Sequence, residues 1–327
     1  FEPVDAEVLG FVPYWLFDAA AATIDPSLLT VAAFHSVEAA QNGKLVSKKG
    51  NGDVPGGWAM LASDAFTELK GELQSAGVKV VPVIQRAAWS DGGRERAITL
   101  LGKKKNRRAL VANIADFVRK RGFDGINLNF EPLPREVADE FVLMVRELRA
   151  ALDEIEPGLH LSVDVVSGLE NFDLAALTAE DAADLAVIMG YDYRTKSSGV
   201  AGAVAPLEDP ATTDLTTSVE AALEQADPKR LLLALPWYGA AWSTETDQAR
   251  SKVRSDDDLP APVTVTYQNA VAQAGVSGRR YQPDQASAWT TYAAQSCGNC
   301  TPTWRQAWYD DPDSFGAKFD YAIEQGL

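Results

Sequence analysis

The sequence predicts an α/β protein, a (β/α)8 barrel, and three observations carry that reading. Short apolar, β-branched runs recur along the chain, helical patterns separate them, and seven such runs have passed by residue 239. A continuous apolar strand implies burial on both faces, hence parallel strands covered by helices. Strand alternating with helix is the α/β pattern, and seven strands favour a barrel over a doubly wound sheet.

The runs are VLGFVPYW (8–15), LLTVAAFHSV (28–37), VKVVPVIQR (78–86), GINLNFE (125–131), LHLSVDVV (159–166), LAVIMGYDY (185–193) and RLLLALPWYG (230–239). Between them, RRALVANIADFVRKRG (107–122) and EVADEFVLMVRELRAALDEI (136–155) read as helices. In the second, Phe141, Val145, Leu148 and Leu152 fall on one face at helical spacing. The basic cluster KKKNRR (103–108) reads as a solvated helix start rather than an anion site.

After residue 240 the pattern changes. A polar, acidic stretch (243–262) leads to VTVTYQ (263–268) and RRYQPDQASAWTTYA (279–293), which read as antiparallel strands. The expected division is therefore barrel strands one to seven over 1–242, an α+β insertion over 243–303 and the last barrel helix over 304–327. No eighth strand is apparent. Either something outside this sequence closes the barrel, the sequence is clipped, or the strand count is off by one.

Composition narrows the function. Apolar residues make up 46% of the 327 and charged residues 23%, as in ordinary globular proteins. No apolar run approaches the roughly 20 residues that span a bilayer, so no membrane insertion is expected. A net charge of −16 repels nucleic acid and anionic surfaces but leaves a neutral substrate unaffected. The start at Phe1, without Met or signal peptide, suits a mature secreted protein or a trimmed chain, and the expected location is secreted or cell-surface. Cys297 and Cys300 form CGNC, read as a local disulfide or as two free thiols; a disulfide would favour an oxidising compartment. With His35 and His160 the only histidines, no zinc set forms, and no nucleotide-binding motif is present, so no metal or cofactor is expected. His35, at the end of strand two, and His160, at the start of strand five, read as structural. Arg86 and Asp164 lie near polar strand ends as a candidate pair.

Catalytic groups of a barrel sit at the carboxyl ends of its strands. Asn127, Asn129 and Glu131 are spaced by two, so all three point to one face, with Ile126, Leu128 and Phe130 toward the covering helices. Packing alone would favour Val or Ile at such positions, and polar groups there must be hydrogen-bonded. A purely structural hydrogen-bond network is the alternative to a catalytic one. Trp15, Trp89, Trp237, Tyr238 and Trp242 fall at strand ends as candidate faces for stacking sugar rings. Trp289 and Tyr292 would form one wall of a groove.

The stretch FDGINLNFE resembles the signature of glycoside hydrolase family 18, Asp-Gly-x-Asp-x-Asp-x-Glu, with Asp124 and Gly125 at its start. VIMGYDY, LLLALPWYGAAW and RQAWYDDPDSFGAKFDYAIEQGL resemble later segments of that family, in order. The stretch YDYRTKSSGVAGAVAPL is most similar to the bacterial spore-cortex-lytic branch. The resemblance implies hydrolysis of a β-linked N-acetylhexosamine polysaccharide or oligosaccharide, peptidoglycan ahead of chitin; the chain is expected to act as a monomer. Glu131 would be the general acid and the sugar's own acetamido oxygen the nucleophile, the family being an exception to the two-carboxylate scheme. Tyr191 would hydrogen-bond the acetamido oxygen, Asp192 would line the same pocket, and Asp124 would brace the strand.

The chain departs from the signature at Asn127 and, more seriously, at Asn129, where the family orients the acetamide with a carboxylate. An amide accepts a hydrogen bond but supplies no negative charge, and losing such preorganised charge typically slows a reaction by about 10²–10³. Without a neighbouring anion to raise its pKa, Glu131 is ionised at neutral pH unless burial holds its proton. Three readings follow: a slow or acid-active hydrolase, a carbohydrate-binding protein on a hydrolase frame, or Glu131 paired with another carboxylate such as Asp192 on a different sugar. Carboxyl separation divides the pairings, about 5.5 Å for retention and roughly 6.5–9.5 Å for inversion.

Overall fold

Residues 6–327 are described by a computed structural model of the chain. Seven strands form one sheet in sequence order: β1 (Leu9–Pro13), β2 (Val31–Glu38), β3 (Lys79–Ala87), β4 (Gly125–Glu131), β5 (His160–Val166), β6 (Leu185–Met189) and β7 (Leu231–Ala234). The pairings from β1 to β5 are all parallel, as continuous apolar runs require. By contact clustering the chain divides into two compact units, one running to Val166 and adding Glu170–Val187, the other holding Ser167–Leu169 and Ile188–Leu327.

In the first unit, helices cover the sheet because their apolar stripes match its outward residues. The helix Ala138–Asp153 buries Phe141, Val145, Leu148 and Leu152 completely, and the Phe141 ring lies 5.3 Å from that of Phe130 on β4. The helix Lys104–Arg121 ends at Gly122, whose left-handed φ of 60° terminates the ladder at little steric cost. Its basic start is not wholly solvated: Arg107 is buried and pairs with Glu147 at 3.1 Å, leaving the other charges of the cluster outside. The inner face of β2 and β3 begins apolar, with Val31, Ala33, Val81 and Val83 packed together.

The second unit departs from the sequence reading. The run 230–239 is not one strand. β7 stops at Ala234, and after Pro236, which has no N–H to give a ladder, a new strand β8 (Tyr238–Thr244) begins. It joins an antiparallel sheet with β9 (Val263–Thr266), β10 (Arg280–Gln282), β11 (Ser287–Ala294) and β12 (Thr303–Tyr309), in the order β10-β11-β12-β8-β9. This second sheet thus begins before the expected insertion and ends after it.

Trp242, expected at a sugar-binding rim, is fully buried instead. It lies on β8 in a core with Trp289 and Trp308, whose rings stack at 5.1 Å, and its indole N–H donates to the Thr195 carbonyl at 3.2 Å. Trp289 is likewise core rather than a groove wall. The closing helix Pro312–Gln325 is capped by Asp311 and tied to the sheet by the buried pair of Lys318 with Asp310. Cys297 and Cys300 are joined by a disulfide. Among the described residues no eighth strand joins the first sheet, and no helix is long and apolar enough to cross a membrane.

Candidate active site

β4 is fixed at its start by two residues of the signature. The Asp124 carboxylate accepts the Val80 backbone N–H at 2.7 Å and the Gln74 side-chain amide at 2.8 Å, clamping β4 to β3. Gly125 has φ 146°, and a Cβ there would lie 2.0 Å from the His160 carbonyl oxygen. Only glycine lets β5 approach that closely.

From that start the strand delivers its polar face. Asn127 and Asn129 are buried and Glu131 is half-buried at the carboxyl end. The Asn127 amide donates to Ser162 Oγ at 2.9 Å and to Asp164 Oδ1 at 2.8 Å. In register Asn127 stands opposite Ser162 and Asn129 opposite Asp164, while on the other side Gln85 of β3 stands beside Asn129. The inner face therefore turns from valine and alanine to amide and carboxyl groups as the strands approach their carboxyl ends.

The candidate pair of Arg86 and Asp164 does not form: Arg86 pairs with Glu38 at 3.0 Å and donates to the Ala39 carbonyl at 2.8 Å. Arg86 and Asp164 occupy alternating positions whose side chains leave the sheet on opposite faces, since Gln85, not Arg86, is level with Asn129. Asp164 is 1% exposed, and burial pushes its carboxyl up to about 8. The Glu131 charge pushes in the same direction; hydrogen bonds from the Asn127 and Asn129 amides oppose it. The two-residue spacing of Ser162, Asp164 and Val166 was the available signal, since it repeats the spacing on β4.

The histidines carry no charge at neutral pH. Burial lowers His35 to about 4, and its ring meets the Trp15 ring edge-on at 5.8 Å. His160 is lowered to about 4 by burial first and by Lys79 and Arg149 second. Trp15 and Trp89 are largely exposed, at 61% and 71%. Among the described residues no cluster of His, Cys, Asp and Glu suits a metal ion.

The second unit holds its own polar group. Tyr238 donates its hydroxyl to Asp192 Oδ1 at 2.7 Å, and the Tyr191 and Tyr238 rings meet edge-on at 6.1 Å. Partial burial raises the Asp192 carboxyl, and the Tyr238 hydroxyl opposes that rise. Asp192 itself has a left-handed φ of 60°. Trp237 is 70% exposed and packs on Phe315 at 4.7 Å, beside Tyr267 and Phe319.

Comparison with known proteins gives consistent results. The family model for Glycosyl hydrolases family 18 matches residues 7–327. "Probable chitinase 2" of Drosophila melanogaster is 29% identical over 212 residues, 57% of this chain and 42% of that protein. "Putative sporulation-specific glycosylase YdhD" of Bacillus subtilis is 27% identical over 171 residues, 50% of this chain and 39% of that protein. The chain thus spans about two fifths of the length of these curated relatives. Among solved structures, a Cycas revoluta chitinase in complex with allosamidin superposes with a TM-score of 0.80 at 21% identity, covering 98% of this chain and 92% of that one. The Bacillus cereus spore cortex-lytic enzyme SleL gives 0.74 at 20% identity over 98% of this chain and 69% of that one. These likenesses show the fold, an α/β architecture of the TIM-barrel kind. With the match running through nearly every described residue, the chain belongs to glycosyl hydrolases family 18.

Proposed function

We propose that the protein hydrolyses a β-linked glycan containing N-acetylglucosamine, with retention, using the substrate's acetamide as nucleophile. The observation that carries this reading is β4: it brings Glu131, half-buried, to a strand end where the neighbouring inward groups are amides and a buried carboxyl. Family membership adds the reaction type. Similarity to chitinases and to a spore cortex-lytic enzyme supports chitin and peptidoglycan as substrate classes.

In the proposed reaction Glu131 gives its proton to the glycosidic oxygen. The acetamido oxygen attacks the anomeric carbon as the bond to the leaving sugar breaks, forming an oxazolinium ion. Water then attacks that carbon, and the Glu131 carboxylate takes up the water's proton. Asn129 would accept the acetamide N–H through its oxygen. On the family pattern Tyr191 would donate to the acetamido oxygen and Asp192 would line that subsite. Trp15 and Trp89 are the exposed rings of the first unit suited to stacking on sugar faces, and Trp237 that of the second. We place the activity outside the cell, where the Cys297–Cys300 disulfide would persist.

Turnover of chito-oligosaccharides and peptidoglycan between pH 4 and 8, in the wild type and in Glu131→Gln, tests the reading. We expect Glu131→Gln to lower kcat by about 10²–10⁴, the share general acid catalysis supplies. The uncharged Asn129 favours one rival, a sugar-binding protein on a hydrolase frame. Tight oligosaccharide binding with no turnover at any pH would establish that rival.

A further inference from the structure

Packing does not account for Gln85. Along the inner face of β3 the side chains at spacing two are Val81, Val83, Gln85 and Ala87. The two valines are completely buried, and Gln85 is half-buried next to them. A side chain kept for packing would be a third valine, since a glutamine adds two donors and two lone pairs that burial must satisfy. The backbone of Gln85 is committed to the fold: its carbonyl accepts the Ala39 N–H at 2.9 Å. Its side-chain amide makes no hydrogen bond among the described residues. Glu38, level with it on β2, pairs instead with Arg86 at 3.0 Å.

Position supplies a second observation. Gln85 is level with Asn129, and Ala87, two residues on, is level with Glu131. Asn129 is thus flanked by Gln85 on β3 and by Asp164 on β5. Asp164 is closed off from solvent, whereas Gln85 keeps part of its surface open. Ala87 is exposed and small, so its own strand puts little bulk between the Gln85 amide and Glu131. Neighbouring strands lie about 4.8 Å apart, close to the breadth of a pyranose ring.

We propose that Gln85 is a specificity-determining residue, whose amide hydrogen-bonds the C3 hydroxyl of the sugar that places its acetamide against Asn129. The proposal rests on the reading of β4 given above. The acetamide stands on C2 of that sugar, and C2 has two ring neighbours. C1 carries the scissile oxygen, which Glu131 addresses. C3 carries a hydroxyl, which needs a partner once the sugar has displaced water from the strand ends. An amide serves it as donor or as acceptor. The contact does not change as the bond at C1 breaks, so it favours ground state and transition state alike.

Two ligands test this: p-nitrophenyl chitobioside, and the same compound lacking the C3 hydroxyl on the sugar next to the scissile bond. Binding is read by calorimetry in the Glu131→Gln background, where turnover does not interfere. With Gln85 present, the deoxy compound should bind about 5–10-fold more weakly, the effect of one hydrogen bond. Gln85→Leu should bind the full compound about as weakly and should no longer distinguish the two, as a double-mutant cycle requires of a direct pair. In the otherwise wild-type enzyme Gln85→Leu should raise KM by the same factor with kcat nearly unchanged. Gln85→Met, unbranched like glutamine, repeats the test should leucine disturb the strand. A protein with Gln85 that does not prefer the hydroxyl compound overturns the proposal. So does a Gln85 variant that keeps the preference. The binding arm stands apart from catalysis: a wild type that cleaves nothing, with a preference that vanishes in Gln85→Leu, would sink the hydrolase reading and leave the Gln85 contact standing.

Discussion

The Asp164 carboxyl is held up at about 8, well above an ordinary aspartate, and burial is the main cause. The consequence for stability has a definite sign. Between about pH 4 and 8 the unfolded chain has released this proton and the folded chain has not, so the group's contribution to stability declines as pH rises through that window. His35 and His160, both lowered to about 4, act oppositely: their contribution is present above about pH 6.5 and lost as pH falls toward 4. Asp164→Asn should therefore gain in Tm relative to the wild type as buffer pH is raised from 4.5 to 7.5, and thermal scans across that range measure it. A difference that does not change with pH would mean that the carboxyl does not retain its proton on folding. At this scale the β4 residues were legible because their spacing of two needs no partner strand to interpret. The place of Asp164 was not, because register between β4 and β5 is a tertiary fact: the same sequence slipped by one residue would put Asp164 on the helix-covered face.

The strands of the first unit followed from their apolar runs, and the helix Ala138–Asp153 from its single apolar face. The reading failed where two elements abut without a loop long enough to notice. Residues 231–239 carry no charged side chain, yet β7 ends at Ala234 and β8 starts at Tyr238 in another sheet; Pro236 was the one mark of the break. That misreading carried Trp242 to a rim it does not occupy. Two tryptophans five positions apart now have opposite expectations. Trp242→Ala should destabilise the protein by about 3–5 kcal/mol in urea unfolding, as a large ring leaves a closed core that also holds the buried stack of Trp289 and Trp308. Trp237→Ala, at a position 70% exposed, should change stability by less than about 1 kcal/mol. Near-equal losses in the two variants would show that burial does not set their energetic weight.

For the molecule as a whole, a net charge of −16 disfavours polyanions and permits a neutral glycan, and family membership supplies a reaction that such a glycan undergoes. Four motifs in order made the family legible before any coordinates, because each is a local run. The second sheet's extent was not legible, since β8 follows β7 directly in an apolar run and a largely polar stretch, 245–262, separates it from β9. The central claim is that Glu131 protonates a glycosidic oxygen while the sugar's own acetamide attacks, which requires the product to keep the β configuration. Proton NMR of chitotetraose hydrolysis, read before mutarotation, tests this most directly. The account predicts β-anomer as the first product in the wild type and none in Glu131→Gln. First-formed α-anomer, or undiminished turnover in Glu131→Gln, would contradict it.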